Sequence, residues 1–174
     1  IEELFCRLNN GKPLSAIELT RANAKSKNQI RTIASHPIFD IALNEKGMAK
    51  YDNEDIAIKA WIMLFGNTKS FETKVVRPIA LPIYYEVNTI NECFDYLLDV
   101  YNKIKEKDTK ESIRVCKKIV KKTHFLSLLS IIDKALSDDI NLDLTSDWIM
   151  EFFDYSKGAS INEEYNENSK AGSA

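Results

Sequence analysis

The chain reads as all-α, an irregular multi-helix bundle. Three observations point there. Gly (5) and Pro (4) are scarce in 174 residues, too few to punctuate a fold built from many turns. Apolar residues recur mostly at helical spacing. Ser, Thr or Asx stands repeatedly before an apolar stretch, with Glu or Gln three residues on. Only Val75 to Tyr85 has the composition for a short strand.

The first element is the run LFCRLNNGKPLSAIELTRA, Leu4 to Ala22. It predicts a helix, a tight polar turn and a second helix. Ser15 and Glu18 have capping-box spacing, and Leu14 and Leu19 stand at the two positions of a hydrophobic staple. Arg7, Asn9, Asn10 and Lys12 are then held in or beside a fixed turn. A guanidinium and an amide next to a helix N-terminus suit phosphate or carboxylate recognition. Arg7, Asn9 and Lys12 are therefore the candidate anion-binding residues.

Ser26 and Gln29 repeat the capping-box spacing and predict a short helix over about Lys27–Ser35. Pro37 suits a first helical position, with Ile38, Phe39 and Ile41 burying a short turn. Asn44 to Asp52 reads as a loop. Asp52 or Asn53 caps the next helix, which carries Ile56, Ala57, Ala60, Trp61 and Leu64 at core spacing and stops at Gly66. Ser70 to Val76 reads as a weak helix, and Pro78 and Pro82 break the segment after it.

Asn88 or Thr89 begins a long helix to about Lys105, with Ile90, Cys93, Phe94, Leu97, Leu98 and Tyr101 as its apolar stripe. Asp108 and Glu111 start the next helix, with Ile113, Cys116, Ile119 and Val120 inward. His124 to Leu136 is a richer apolar helix, expected to lie deeper. Thr145 or Ser146 caps a last helix containing Trp148, Ile149, Phe152 and Phe153. The expected organisation is one helical domain over residues 1–157 and a polar, flexible tail over 158–174.

Composition narrows the function. Apolar residues at 44% and charged residues at 29% describe a soluble globular chain, and no run approaches the length of a membrane span. No secretory pattern is visible, and Cys6, Cys93 and Cys116 are far apart with no Cys-x-x-Cys pair. Neither a zinc site nor a disulfide framework is expected, and a cytoplasmic location fits best. His36 and His124 are isolated and read as structural, so no metal site is expected. The chain begins at Ile1, which reads as a processed or truncated start. A glycine-rich phosphate loop, a Gly-x-Ser-x-Gly elbow and a His-Glu-x-x-His pair are all missing. Asp138–Asp139 reads as solvated surface. No catalytic residue is assigned.

Charge is uneven along the chain. From Tyr101 to Thr123 there are nine Lys or Arg against three acids; from Asp133 to Glu167 there are ten acids against two Lys. Lys110, Arg114, Lys117, Lys118 and Lys121 share one broad helical face. Such a face meets a phosphate backbone, or it stays solvated, or it pairs with an acidic neighbour in the same protein.

The opening run resembles the N-terminal domains of GmrSD-type restriction systems, which are ParB/sulfiredoxin-like. Phe5, Arg7, Leu8, Asn9, Gly11, Leu14, Ser15, Glu18 and Leu19 fall on that pattern, and Lys121–Leu136, Ser146–Phe153 and Glu164–Ala174 resemble its helical half. The resemblance implies a chain that is the helical half of a larger α/β-plus-α protein. It implies that Arg7 contacts a phosphate and that Asn9 orients it. The family's aspartate–glycine–glutamine–glutamine–arginine nucleotide motif precedes the Phe5 stretch, and no Asp-Gly pair occurs in this chain. The implied partners are a missing N-terminal ParB-like segment or a nuclease. The chain itself would need no cofactor, while the complete protein would bind a nucleoside triphosphate. The expected function is a non-catalytic contribution to nucleotide or modified-DNA sensing in antiphage restriction. The alternatives are a protein–protein interaction module encoded by a phage or mobile element, and a direct DNA-binding helical domain.

Overall fold

The computed structural model describes residues 18, 21, 25–66, 70–72 and 86–153. Among them are eight helices and no strand. They are α1 (Lys27–Ala34), α2 (Ile38–Ala42), α3 (Glu45–Ala49), α4 (Asp52–Phe65), α5 (Val87–Glu106), α6 (Lys110–Ile119), α7 (Lys122–Ser137) and α8 (Leu142–Phe153). The expected all-α class is what the described residues adopt. The turn at Arg7–Lys12, all of Val75–Tyr85 and the tail after Lys157 lie outside them. The chain divides into two compact units between Phe94 and Asp95, inside α5.

In the first unit α1 packs on α4, and α3 packs on the same helix. Ile30, Ile33, Phe39, Ile56, Ala57 and Ala60 are at most 1% exposed. Phe94 presents edge-on geometry to both Phe39 (5.5 Å, 90°) and His36 (5.3 Å, 70°), the favoured arrangement for aromatic pairs. His36 Nδ1 accepts from the backbone N–H of Ile38 at 3.2 Å, which satisfies one free donor at the start of α2. Asn53 Nδ2 donates to the Ala34 carbonyl at 3.0 Å and ties the end of α1 to α4.

Several local expectations are corrected here. Ser26 makes no side-chain cap bond to α1. Ile41 is 37% exposed, so only Ile38 and Phe39 bury α2. The expected loop over Asn44–Asp52 contains α3, whose Gly47 N–H donates to Asn44 Oδ1 at 3.0 Å. The residue preceding α4 is Tyr51, at φ 62°, in place of Asp52 or Asn53. Asp52, Glu54 and Asp55 instead occupy the first turn of α4, where acidic groups complement the helix dipole. Ser70, Phe71 and Glu72 are not helical.

In the second unit α6 packs on both α7 and α8. Its core is drawn from Leu97, Val100 and Ile104 of α5, Val115 and Ile119 of α6, Phe125, Leu129 and Ile132 of α7, and Ile149 and Phe153 of α8. Tyr96 Oη donates to the Ile140 carbonyl at 2.8 Å and lies 2.8 Å from Thr145 Oγ1. Lys103 pairs with Asp143, and Lys107 pairs with Asp147 at 2.7 Å. Both partners advance by four residues, so α5 and α8 run in the same direction along this ladder.

Helix starts in this unit also shift from expectation. Thr109, not Asp108, caps α6. Ile113 is 47% exposed, and Ser112 and Val115 take its place on the inner face. Asn141 starts α8: its Oδ1 accepts from the Leu144 N–H at 2.8 Å. Thr145 and Ser146 lie inside the helix, where their hydroxyls donate to the Asn141 and Leu142 carbonyls.

Candidate nucleic-acid interface

The geometry of α6 is set by its start. Thr109 Oγ1 accepts from the Ser112 N–H at 3.0 Å, and Ser112 Oγ accepts from the Thr109 N–H at 2.9 Å. This reciprocal box fixes the first turn. Val115, Cys116 and Ile119 then face inward and set the rotation of the helix. Of the five basic residues that share a face by their spacing, Lys110, Arg114, Lys117 and Lys118 lie on the remaining surface of α6, while Lys121 lies beyond its end, on the extended residue that precedes α7. Lys110, Lys117 and Lys121 are exposed; Arg114 and Lys118 are half-buried.

Internal pairing engages Lys103 in the last turn of α5 with Asp143, and Lys107 just past that helix with Asp147. Among the described residues, no carboxylate lies at ion-pair distance from Lys110, Lys117 or Lys121. Burial, and then the charges of Arg114 and Lys121, pull the Lys118 ammonium below the ordinary lysine range. Its Nζ stands 5.9 Å from the centre of the Phe153 ring. His124 adjoins the same corner. Its ring centroid is 5.1 Å from that of Phe153, and its Nδ1 is 3.1 Å from the Lys118 carbonyl. The structure thus brings Arg114, Lys118 and Lys121 together with an imidazole that sequence spacing alone assigns a structural role.

Such a surface can neutralise a row of anionic oxygens. Cys116 beneath it is buried, and burial raises its thiol above the usual range, so it is a poor nucleophile. Among the described residues no group of three or more His, Cys, Asp or Glu could hold a metal ion, and no helix is long and apolar enough to cross a membrane.

The predicted anion site at Arg7, Asn9 and Lys12 lies outside the described residues. Two members of the same run, Glu18 and Arg21, are described. Arg21 reaches Glu54 with two bonds, Nε to Oε2 at 2.5 Å and Nη2 to Oε1 at 3.0 Å. Its guanidinium carbon sits 3.5 Å from the centre of the Tyr51 ring. No local signal announces this clasp, because its partners are 33 and 30 residues apart in sequence.

A second surface of the second unit is not among the sequence-predicted sites. Four large apolar residues of α7 and α8 remain exposed: Ile131, Leu136, Leu144 and Trp148. Its signal is readable, since the α8 sequence LDLTSDWIMEFF carries two apolar stripes, Leu144/Trp148 and Ile149/Phe153. No family model, curated protein or solved structure matches the chain.

Proposed function

We propose that this chain is a helical portion of a GmrSD-like restriction protein that grips a DNA backbone through the outer face of α6 and catalyses nothing itself. The observation that carries the DNA contact is the residual charge on that face. Lys103 and Lys107 are engaged internally, while Lys110, Lys117 and Lys121 project without an ion-pair partner among the described residues. From Lys110 to Lys118 the helix rises about 12 Å, roughly three to four phosphates along one DNA strand, and Lys121 follows just beyond its end. Backbone contacts of this kind position a protein without reading sequence. Recognition of a modified base would fall to other parts of the protein, and the Arg7–Asn9–Lys12 turn would supply its nucleotide contact. That part of the reading rests on the resemblance of residues 4–22.

The test is fluorescence anisotropy of the chain with a labelled DNA duplex at a series of salt concentrations. Neutralising three to five phosphates predicts a log–log salt slope of about −3 to −4.5. Lys117→Glu with Lys121→Glu should weaken binding by at least about tenfold at low salt. A flat salt response, or equal binding by the charge-reversed variant, would remove α6 from the DNA contact.

A further inference from the structure

The outward edges of α7 and α8 enclose an apolar groove of about 460 Å³ in the second unit. Ile131 and Ala135 form one wall, and Leu144 and Trp148 form the other, with Ile140 closing the end at the turn. Exposure is highest where the groove opens. Leu144 is 61% exposed, and Trp148 37%. Trp148 is nonetheless held in place, stacked on Phe152 with centroids 5.2 Å and planes 17° apart. A pre-positioned tryptophan beside a free leucine is the type of anchor pair on which interfaces concentrate their energy.

The charges around the groove say what would cover it. Among the described residues its one lining cation, Lys134, is bound to Asp138 at 2.7 Å. Asp139 stands next in the chain at the closed end, held at φ 53° on the surface. Glu151 lies on the same stripe as Leu144 and Trp148, at i+7 and i+3, and is exposed. Among the described residues, neither Asp139 nor Glu151 has an ion-pair partner. The groove is thus an apolar seam with negative charge at each end, Asp139 in the turn before α8 and Glu151 near its close, with α8 rising about 14 Å from Leu142 to Glu151. A two-helix seam of this length accepts a third helix, and its ends select positive charge.

We infer that the α7–α8 groove docks a basic amphipathic helix of a partner protein, with apolar anchors on Leu144 and Trp148 and cationic groups at Asp139 and Glu151. This surface stands apart from the α6 reading and does not depend on it.

The test uses the full chain carrying Trp61→Phe, so that Trp148 is the sole tryptophan. The probe is a synthetic helix of leucine and lysine repeating Leu-Lys-Lys-Leu-Leu-Lys-Leu. A glutamate-for-lysine version and a scrambled, non-amphipathic version of the same composition serve as controls. The lysine helix should shift Trp148 emission to the blue, with a Kd of about 1–50 μM. Leu144→Glu should weaken it by at least about tenfold without lowering the thermal midpoint, since this side chain is mostly exposed. Asp139→Asn with Glu151→Lys should weaken the lysine helix by about tenfold and admit the glutamate helix. Asparagine is chosen at position 139 because it tolerates the left-handed backbone there. Three results would overturn the inference. One is equal binding of the glutamate or scrambled helix. Another is displacement of a hydrophobic dye by decanoate but not by the lysine helix, which would make the groove a small-molecule site. The last is self-association of the chain that Leu144→Glu abolishes, which would make the occupant a second copy.

Discussion

The imidazole of His124 leans on the ring of Phe153, with centroids 5.1 Å and planes 35° apart. Its Nδ1 lies 3.1 Å from the Lys118 carbonyl. A carbonyl only accepts, so Nδ1 carries the proton, and the neutral ring keeps its lone pair on Nε2. Burial pushes the imidazole below its usual range. The bond to Lys118 opposes that, and the charges of Lys121 and Lys118 add to it. His36 makes the opposite choice: its Nδ1 accepts from the Ile38 N–H, so its proton is on Nε2.

The sign of the His124 shift makes stability depend on pH. The unfolded chain takes up the proton near pH 6.5, and the folded chain only at lower pH. The unfolded state therefore binds more protons across that window. Stability should be level above about pH 7.5 and fall as pH drops through about 6.5 towards the folded value. Thermal midpoints of the parent chain should decline between pH 7.5 and 5.5. His124→Gln should flatten that decline. An unchanged slope in the variant would assign the dependence to other groups. Asp147 does not enter this window, since Lys107 holds its carboxyl below the ordinary carboxylate range.

Much of this architecture is legible in the sequence, and the parts that are not have physical reasons. Long apolar periodicity marks α5, α7 and α8 to within a few residues. Caps are less legible because several competent residues stand within one turn. Asp108 and Thr109 both qualify for α6, and the reciprocal bonds of Ser112 select Thr109. Asn141, Thr145 and Ser146 all qualify for α8; the last two are buried, and their hydroxyls turn back onto helix carbonyls. The short helix α3 is illegible because its own sequence, EKGMA, has no apolar stripe, and it depends on the Asn44 cap and on packing against α4. The basic face of α6 is readable from spacing alone. Which of its cations are engaged is not, because that depends on Asp143 and Asp147 arriving beside α5.

The Arg21–Glu54 clasp should contribute more than an ordinary surface pair. Both side chains are mostly buried, at 22% and 12% exposure, and the guanidinium also covers the Tyr51 ring. Arg21→Ala leaves a carboxylate with no fork to meet it, and should cost about 2 kcal/mol in chemical denaturation. Arg21→Lys keeps the charge but loses the two-point geometry, and should recover less than about half of that. A loss below about 0.5 kcal/mol for Arg21→Ala would show that the clasp contributes no more than an exposed pair.

The turn after α7 should be improvable at one position. Asp139 has φ 53°; its N–H donates to the Leu136 carbonyl at 3.3 Å, and the Ile140 N–H donates to the Ala135 carbonyl at 2.8 Å. This is a Schellman end, where glycine is the residue with no Cβ penalty. Asp139→Gly should raise stability by about 0.5–1 kcal/mol, and Asp139→Val should lower it by at least as much. Equal thermal midpoints for the glycine and valine variants would mean that this backbone carries no strain.

One substitution should act with opposite sign at two glycines, one inside α3 and one at the end of α4. Gly47 sits in α3, and the nearest atoms to a Cβ there would be Asp52 Oδ2 at 3.3 Å and Leu43 side-chain atoms from 3.4 Å. The Asp52 carboxylate is the movable end of a side chain, and the N–H bond to Asn44 survives the change. Gly47→Ala should therefore gain about 0.5–1 kcal/mol from helix propensity. Gly66 ends α4 with φ −78° and ψ 148°, a conformation open to any residue, so its freedom at positive φ is not what the position uses. A Cβ there would lie 2.5 Å from the Ile62 carbonyl oxygen, which is also the acceptor of the Gly66 N–H at 2.9 Å. Neither atom can move without opening the last turn. Gly66→Ala should cost about 1–3 kcal/mol and lower the helical circular dichroism signal near that end. A stabilising Gly66→Ala would mean that α4 ends for some reason other than this close backbone approach.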